Sequence, residues 1–134
     1  MPGLSVPPQH GSGHATACGY LVRADAALTE AAAAVEHTSR YASAHMAALR
    51  AAAAVLAVRG RPYNRRGQRN AWVLLATVAP ELAEWAAFFA AGSAKRAAAE
   101  AGRARAVTMR EADDLLRDAA QFVEVVERCL ERAP

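Results

Sequence analysis

The sequence predicts an all-α protein, an up-and-down bundle of four main helices with the third broken at Pro80. Three observations predict it. Of the 134 residues, 37 are Ala, which has the highest helix propensity, whereas aromatic residues make up 6% and no stretch alternates apolar with polar as a half-buried strand does. The larger apolar residues recur instead at spacings of three, four and seven. Gly, Pro and Asn punctuate these runs at intervals that leave short connections, and short connections favour antiparallel neighbours.

The elements run in order along the chain. Residues 1–18 hold three Pro, three Gly and two His and offer little to bury, which predicts a disordered tail ahead of a helical domain over 19–134. A first helix is expected from about 20 to 36, where Leu21, Leu28 and Val35 repeat at seven with Ala24 and Ala31 between them. Thr38 or Ser39 can cap a second helix that runs to Arg59 and stops at Gly60, with Tyr41, His45, Leu49, Ala52 and Leu56 as its apolar stripe. Residues 60–70, GRPYNRRGQRN, read as a loop, and Asn70 can cap a third element that starts near Ala71. Pro80 is awkward inside a helix, so 71–78 reads as a separate short helix and Pro80 as the first residue of the next, which passes Gly92 and ends at Gly102. The last helix, 109–131, has the strongest signature: Thr108 and Glu111 form a T-x-x-E capping box, and an apolar face succeeds it at three-four spacing.

Charge and composition limit the function classes. The formal net charge is +3, carried by 15 Arg and one Lys, and with the excess of Ala this skew fits a GC-rich coding bias. Cys18 and Cys129 are too few and too far apart for a disulfide framework or a metal site, so free thiols in a reducing cytoplasm are expected. The amino terminus lacks the basic region and apolar core of a secretory signal. Residues 71–91 have spanning length, but Glu81 and Glu84 fall mid-segment, and an acid at a helix centre costs roughly 2.5–3.5 kcal/mol on insertion; no membrane association is expected. There is no Walker loop, G-x-G-x-x-G or H-E-x-x-H, which leaves ATPases, dinucleotide enzymes and zincins unsupported, and no metal or cofactor is expected.

Two groups of residues could carry chemistry. Arg59, Arg61, Arg65, Arg66 and Arg69 lie close together with no acid between them and with Tyr63 interleaved; Arg presents planar donors to phosphate and a ring can stack on a base. A second basic stretch, 95–110, holds Lys95, Arg96, Arg103, Arg105 and Arg110 against one acid, Glu100. The plainer reading is a solvated loop whose arginines pair with the acidic last helix. In an up-and-down bundle the two stretches lie at opposite ends, and an antiparallel dimer would bring one from each chain together. The second group is Arg40 and His45, an R-x4-H spacing in which His can move a proton while Arg holds a phosphate. Five residues turn a helix through about 500°, leaving the two side chains about 140° apart, and His45 lies in the apolar stripe, where a buried or interface His is the plainer reading.

Three runs together resemble the HEPN superfamily (higher eukaryote and prokaryote nucleotide-binding domain), in particular a small stand-alone branch from high-GC bacteria. They are DAALTEAAAAVEHTSRYASAHMAALRAAAAVLAVRG, AWVLLATVAPELAEWAAFFAAGSAKRAAAEAG and TMREADDLLRDAAQFVEVVE. The resemblance implies a helical bundle that commonly dimerises, and many members are metal-independent RNases, toxin or defence-like, that use R-x4–6-H near the start of the last helix. Here Arg110 to Arg117 contains no His, and R-x4-H occurs only at Arg40–His45. The resemblance therefore implies a non-catalytic protein, a homodimer, that binds RNA, a nucleotide or a protein partner; an endoribonuclease using Arg40 and His45, and a pure protein-interaction module, are the alternatives.

Overall fold

The computed structural model describes residues 9–59 and 71–131. Among them every regular element is helical: α1 (Gln9–Ala33), α2 (His37–Val58), α3 (Ala71–Val78), a 3-10 turn (Pro80–Leu82), α4 (Ala83–Ala91), α5 (Ser93–Glu100) and α6 (Met109–Glu131). α1, α2, the broken run α3–α5 and α6 are the four legs of an up-and-down bundle. The start of α2 meets the end of α1 and the start of α6, through Arg40 to Ala31 and to Asp113. α2 and α6 therefore run parallel, as alternate legs must.

α2 is the axis. Ala44, Ala47, Ala48, Ala51, Ala52 and Ala54 are completely buried, and α1, α3, α5 and α6 all pack on it. A helix surfaced with alanine lets its neighbours approach closely, because interaxial distance follows the side chains at the contact. Larger side chains concentrate between α3, α4 and α6: Trp72 stacks on Phe89 at 5.3 Å between ring centroids, and Phe89 meets Phe122 at 5.1 Å. Trp85 is half-buried beside them, and Phe88 is exposed rather than part of this core.

The first helix differs most from expectation. It begins at Gln9, so residues 9–18 of the predicted disordered tail are helical, while 1–8 lie outside the described residues. The reason is a contact across the bundle. A Cβ on Gly13 would stand 2.8 Å from the carbonyl oxygen of Ala57, so only glycine lets α1 lie on the end of α2. Ala17, Ala24 and Ala31, seven apart, form the buried seam; Leu21 and Leu28 flank it, and Val35 lies beyond the helix, 98% exposed.

Other boundaries have local causes. α1 stops at Ala33 and α2 starts at His37; Glu36, not Thr38 or Ser39, occupies the N-cap, with no side-chain cap, and Thr38 is buried. Residues 71–91 form no single helix: α3 ends at Val78 and Pro80 opens the 3-10 turn. Gly92 adds a second break, between α4 and α5, where Tyr41 crowds the backbone. Gly102, at φ 77°, ends α5, with Arg103 N–H bonded to the Ala98 carbonyl and Gly102 N–H to that of Ala99, a Schellman arrangement. α6 opens on the reciprocal Thr108–Glu111 bonds of 2.9 and 3.0 Å. α2 is long and apolar enough to cross a membrane, but most of it is covered by the other helices. Cys18 and Cys129 are both unbonded.

The two glycines of α1 separate packing from propensity. Gly13→Ala is expected to destabilise the fold, because overpacking against the Ala57 carbonyl costs ~1–3 kcal/mol and outweighs the gain of about 1 kcal/mol in helix propensity. Gly19, with open space around it, gains from the same change by ~0.5–1 kcal/mol. Urea unfolding of the two variants should show midpoints moving in opposite directions.

Candidate functional site

Every helix leaves its last carbonyls without intrahelical donors. α1, α3 and α4 carry no basic residue in their last turns to satisfy them. The donors come from α2. Arg40 Nε and Nη2 donate to the carbonyls of Ala31 (3.1 Å) and Ala34 (2.8 Å), at the end of α1, and Nη1 pairs with Asp113 at 2.6 Å. His45 Nε2 donates to the carbonyl of Phe89 (2.9 Å), in the last turn of α4. Arg59, the C-cap of α2, donates to the carbonyl of Val78 (2.9 Å), the last residue of α3, and pairs with Glu81 at 2.7 Å. Hydrogen bonding between them lifts the Arg59 pKa and lowers that of Glu81. A cation at a helix carboxyl end contributes ~0.3–1 kcal/mol, and half-exposed ion pairs add little more.

The R-x4-H pair is thus not brought together within the chain. Arg40 turns to the α1–α6 side, and His45 turns into the core, with 1% of its surface exposed and its ring edge-on to Trp72 and Phe89 at 6.0 Å. The bond to the Phe89 carbonyl requires the proton on Nε2, which leaves Nδ1 buried with no partner among the described residues. A second proton would place an unpaired charge there. Burial accordingly pushes the His45 pKa down, against the raising effect of the Phe89 bond.

Of the basic loop, Arg59 is placed as above; Arg61, Tyr63, Arg65, Arg66 and Arg69 lie outside the described residues. The second stretch divides. Lys95 pairs with Glu111 and Arg96 with Glu100, whereas Arg103, Arg105 and Arg110 are exposed, with no ion pair to a described residue. They sit at the end of the bundle where α2 begins, as the His37 Nε2–H bond to the Ala104 carbonyl (2.8 Å) shows. Arg59 is at the other end of α2, about 33 Å away along 22 residues.

A family model described as SAV_6107-like HEPN matches residues 24–127. The chain belongs to this HEPN family. No curated protein and no solved structure matches it. In this HEPN chain the opening of the last helix carries Asp113 and Asp114, which pair with Arg40 and Arg117. The match starts inside α1, so the part of that helix held by Gly13 lies outside it.

Sequence reasoning missed one feature. A cavity of about 420 Å³ lies between α2, α4, α5 and α6, lined among others by Tyr41, Phe88, Gly92, Lys95, Glu111 and Asp118. Its signal was faint: Glu111, Asp114 and Asp118 recur at three and four on α6, which also fits dipole complementation and a solvated face.

The pH dependence of stability tests the placement of His45. The unfolded chain takes up a proton near the ordinary value of 6.5, and the folded chain resists it. This contribution to stability is complete above that pH and is lost as pH falls toward the folded-state pKa. Urea unfolding between about pH 7.5 and 5 should show wild-type stability declining more steeply than that of His45→Gln; parallel curves would mean that His45 titrates alike in both states.

Proposed function

We propose that this HEPN protein binds RNA without cleaving it. The single observation behind the reading is the contrast between its two groups of candidates. The donors of Arg40 and the Nε2 proton of His45 are engaged by helix ends and by Asp113, and the two side chains diverge. Arg103, Arg105 and Arg110 are exposed and make no ion pair with a described residue. A nuclease of this kind needs His and Arg at one reacting phosphate; a binding surface needs only accessible cations.

In this reading the phosphate contacts come from Arg103, Arg105 and Arg110 at one end of the bundle, joined by Arg61, Arg65, Arg66 and Arg69, with Tyr63 for stacking, while Arg59 stays engaged by Val78 and Glu81. The protein acts in the cytoplasm as a homodimer, and an antiparallel two-fold pairing joins one basic end from each chain into a continuous surface. No metal or cofactor takes part.

Labelled single-stranded RNA incubated in EDTA, run on native and denaturing gels across a salt series, checks this. Wild type is expected to shift the RNA and leave it intact. Replacing Arg103, Arg105 and Arg110 together by Ala should flatten the log–log salt slope by about 2, at ~0.7 per phosphate contact on single strands. Cleavage that disappears in His45→Ala would restore the nuclease reading. No shift at any salt would leave a protein partner as the ligand.

A further inference from the structure

We propose that the cavity between α2, α4, α5 and α6 binds an organic cation, a guanidinium or primary ammonium carried on an apolar stem. Its apolar part is set by Phe88, Phe89 and Leu115, and its polar rim by Lys95 with Glu111, Asp114 and Asp118. Three carboxylates face one ammonium, so the rim is net negative. Glu111 is already engaged by Lys95 and by the Thr108 backbone N–H, and Asp114 by Arg117 at 3.3 Å. Asp118 is half-buried and has neither an ion pair nor a hydrogen bond among the described residues.

A second observation points to the same ligand. Tyr41 is 6% exposed, yet its hydroxyl has no hydrogen-bond partner among the described residues. The ring is covered and the hydroxyl oxygen opens into the cavity, where it is available to a ligand. The hydroxyl lies beneath Gly92, where an added Cβ would approach to 3.0 Å, and both residues line the cavity, so the glycine keeps the space over the hydroxyl open. Burial and Glu111 push the phenol pKa up, against the lowering effect of Lys95, so the group stays a neutral donor and acceptor.

The chemistry of the lining selects the ligand. A phosphate would meet the net negative rim and be repelled. Among the described residues no three His, Cys, Asp or Glu side chains are placed to hold a metal ion, so the carboxylates suit a distributed charge better than a point cation. Guanidinium or ammonium N–H groups pair with Asp118 and donate to the Tyr41 hydroxyl, and the exposed Phe88 ring offers a face for the charge or its stem. The ligand can be a small amine or an arginine side chain on another polypeptide, since the recognised group is the same.

Agmatine and the capped tripeptide Gly-Arg-Gly, titrated separately at low salt and followed by calorimetry and by backbone amide NMR shifts, test this. At least one should bind saturably, shifting Gly92, Lys95 and Asp118, and weaken as salt rises. Asp118→Asn should weaken binding about tenfold or more, as loss of a charge-assisted hydrogen bond does, and Tyr41→Phe several-fold, with both variants giving wild-type-like spectra otherwise. Saturation by agmatine alone identifies a small amine, and by the tripeptide alone an arginine side chain. Failure of both probes to saturate, affinity indifferent to Asp118→Asn, or AMP shifting the same resonances would overturn the proposal. The RNA gel shift should be the same in Asp118→Asn as in wild type, which keeps the two proposals separable.

Discussion

One helix closes the carbonyl ends of three others. α1, α3 and α4 finish without basic residues of their own, and Arg40, Arg59 and His45 reach out from α2 to bond their last carbonyls. Alanine packing makes this necessary. Close-packed alanines bury little area each, so the bundle depends on contacts that fix the ends of its legs as well as on the seam along α2. The ends of α1, α3 and α4 are thereby each tied to α2.

The same constraint sorts the chemistry. The donors that close helix ends are already engaged: His45 is buried on the Phe89 carbonyl, Arg40 is part-exposed but held by two carbonyls and Asp113, and Arg59 is held by Val78 and Glu81. Arg103, Arg105 and Arg110, around the α5–α6 connection, are instead exposed with no ion pair to a described residue. The acids of α6 are distributed between two tasks. Asp113 and Asp114 are taken by Arg40 and Arg117, and Glu111 by Lys95, whereas Asp118 stands alone over the cavity beneath which the Tyr41 hydroxyl also lacks a partner. Negative charge gathers at the cavity, and positive charge at the bundle end beside it.

Much of the fold was legible in the sequence wherever the cause is local. The capping box fixed the start of α6, Pro80 divided the third leg, and a Schellman glycine at 102 closed it. The features that escaped depend on contacts between elements. Gly13 reads as a breaker until the Ala57 carbonyl is seen beneath it, and Gly92 reads as a tolerated helix residue until Tyr41 is seen against it. The leucines of α1 outweigh its alanines on any hydrophobicity scale, yet the alanines form the seam because α2 presents alanines in return. Arg40 and His45 carry a spacing that suggests catalysis, but their roles are set by which helix ends lie within reach, and no single-chain pattern encodes that.

A neutral His45, donating from inside the core, is the feature on which both the fold and the non-catalytic reading depend most, and its imidazole nitrogens report it directly. Nitrogen-15 NMR of the ring, between about pH 8 and 5, should show a single neutral tautomer with the proton on Nε2, slowly exchanging because it is bonded to the Phe89 carbonyl, and with no protonation near 6.5. A ring that titrates at its ordinary value, or one whose Nδ1 carries the proton, would contradict that role and return His45 to the groups that can act on a substrate.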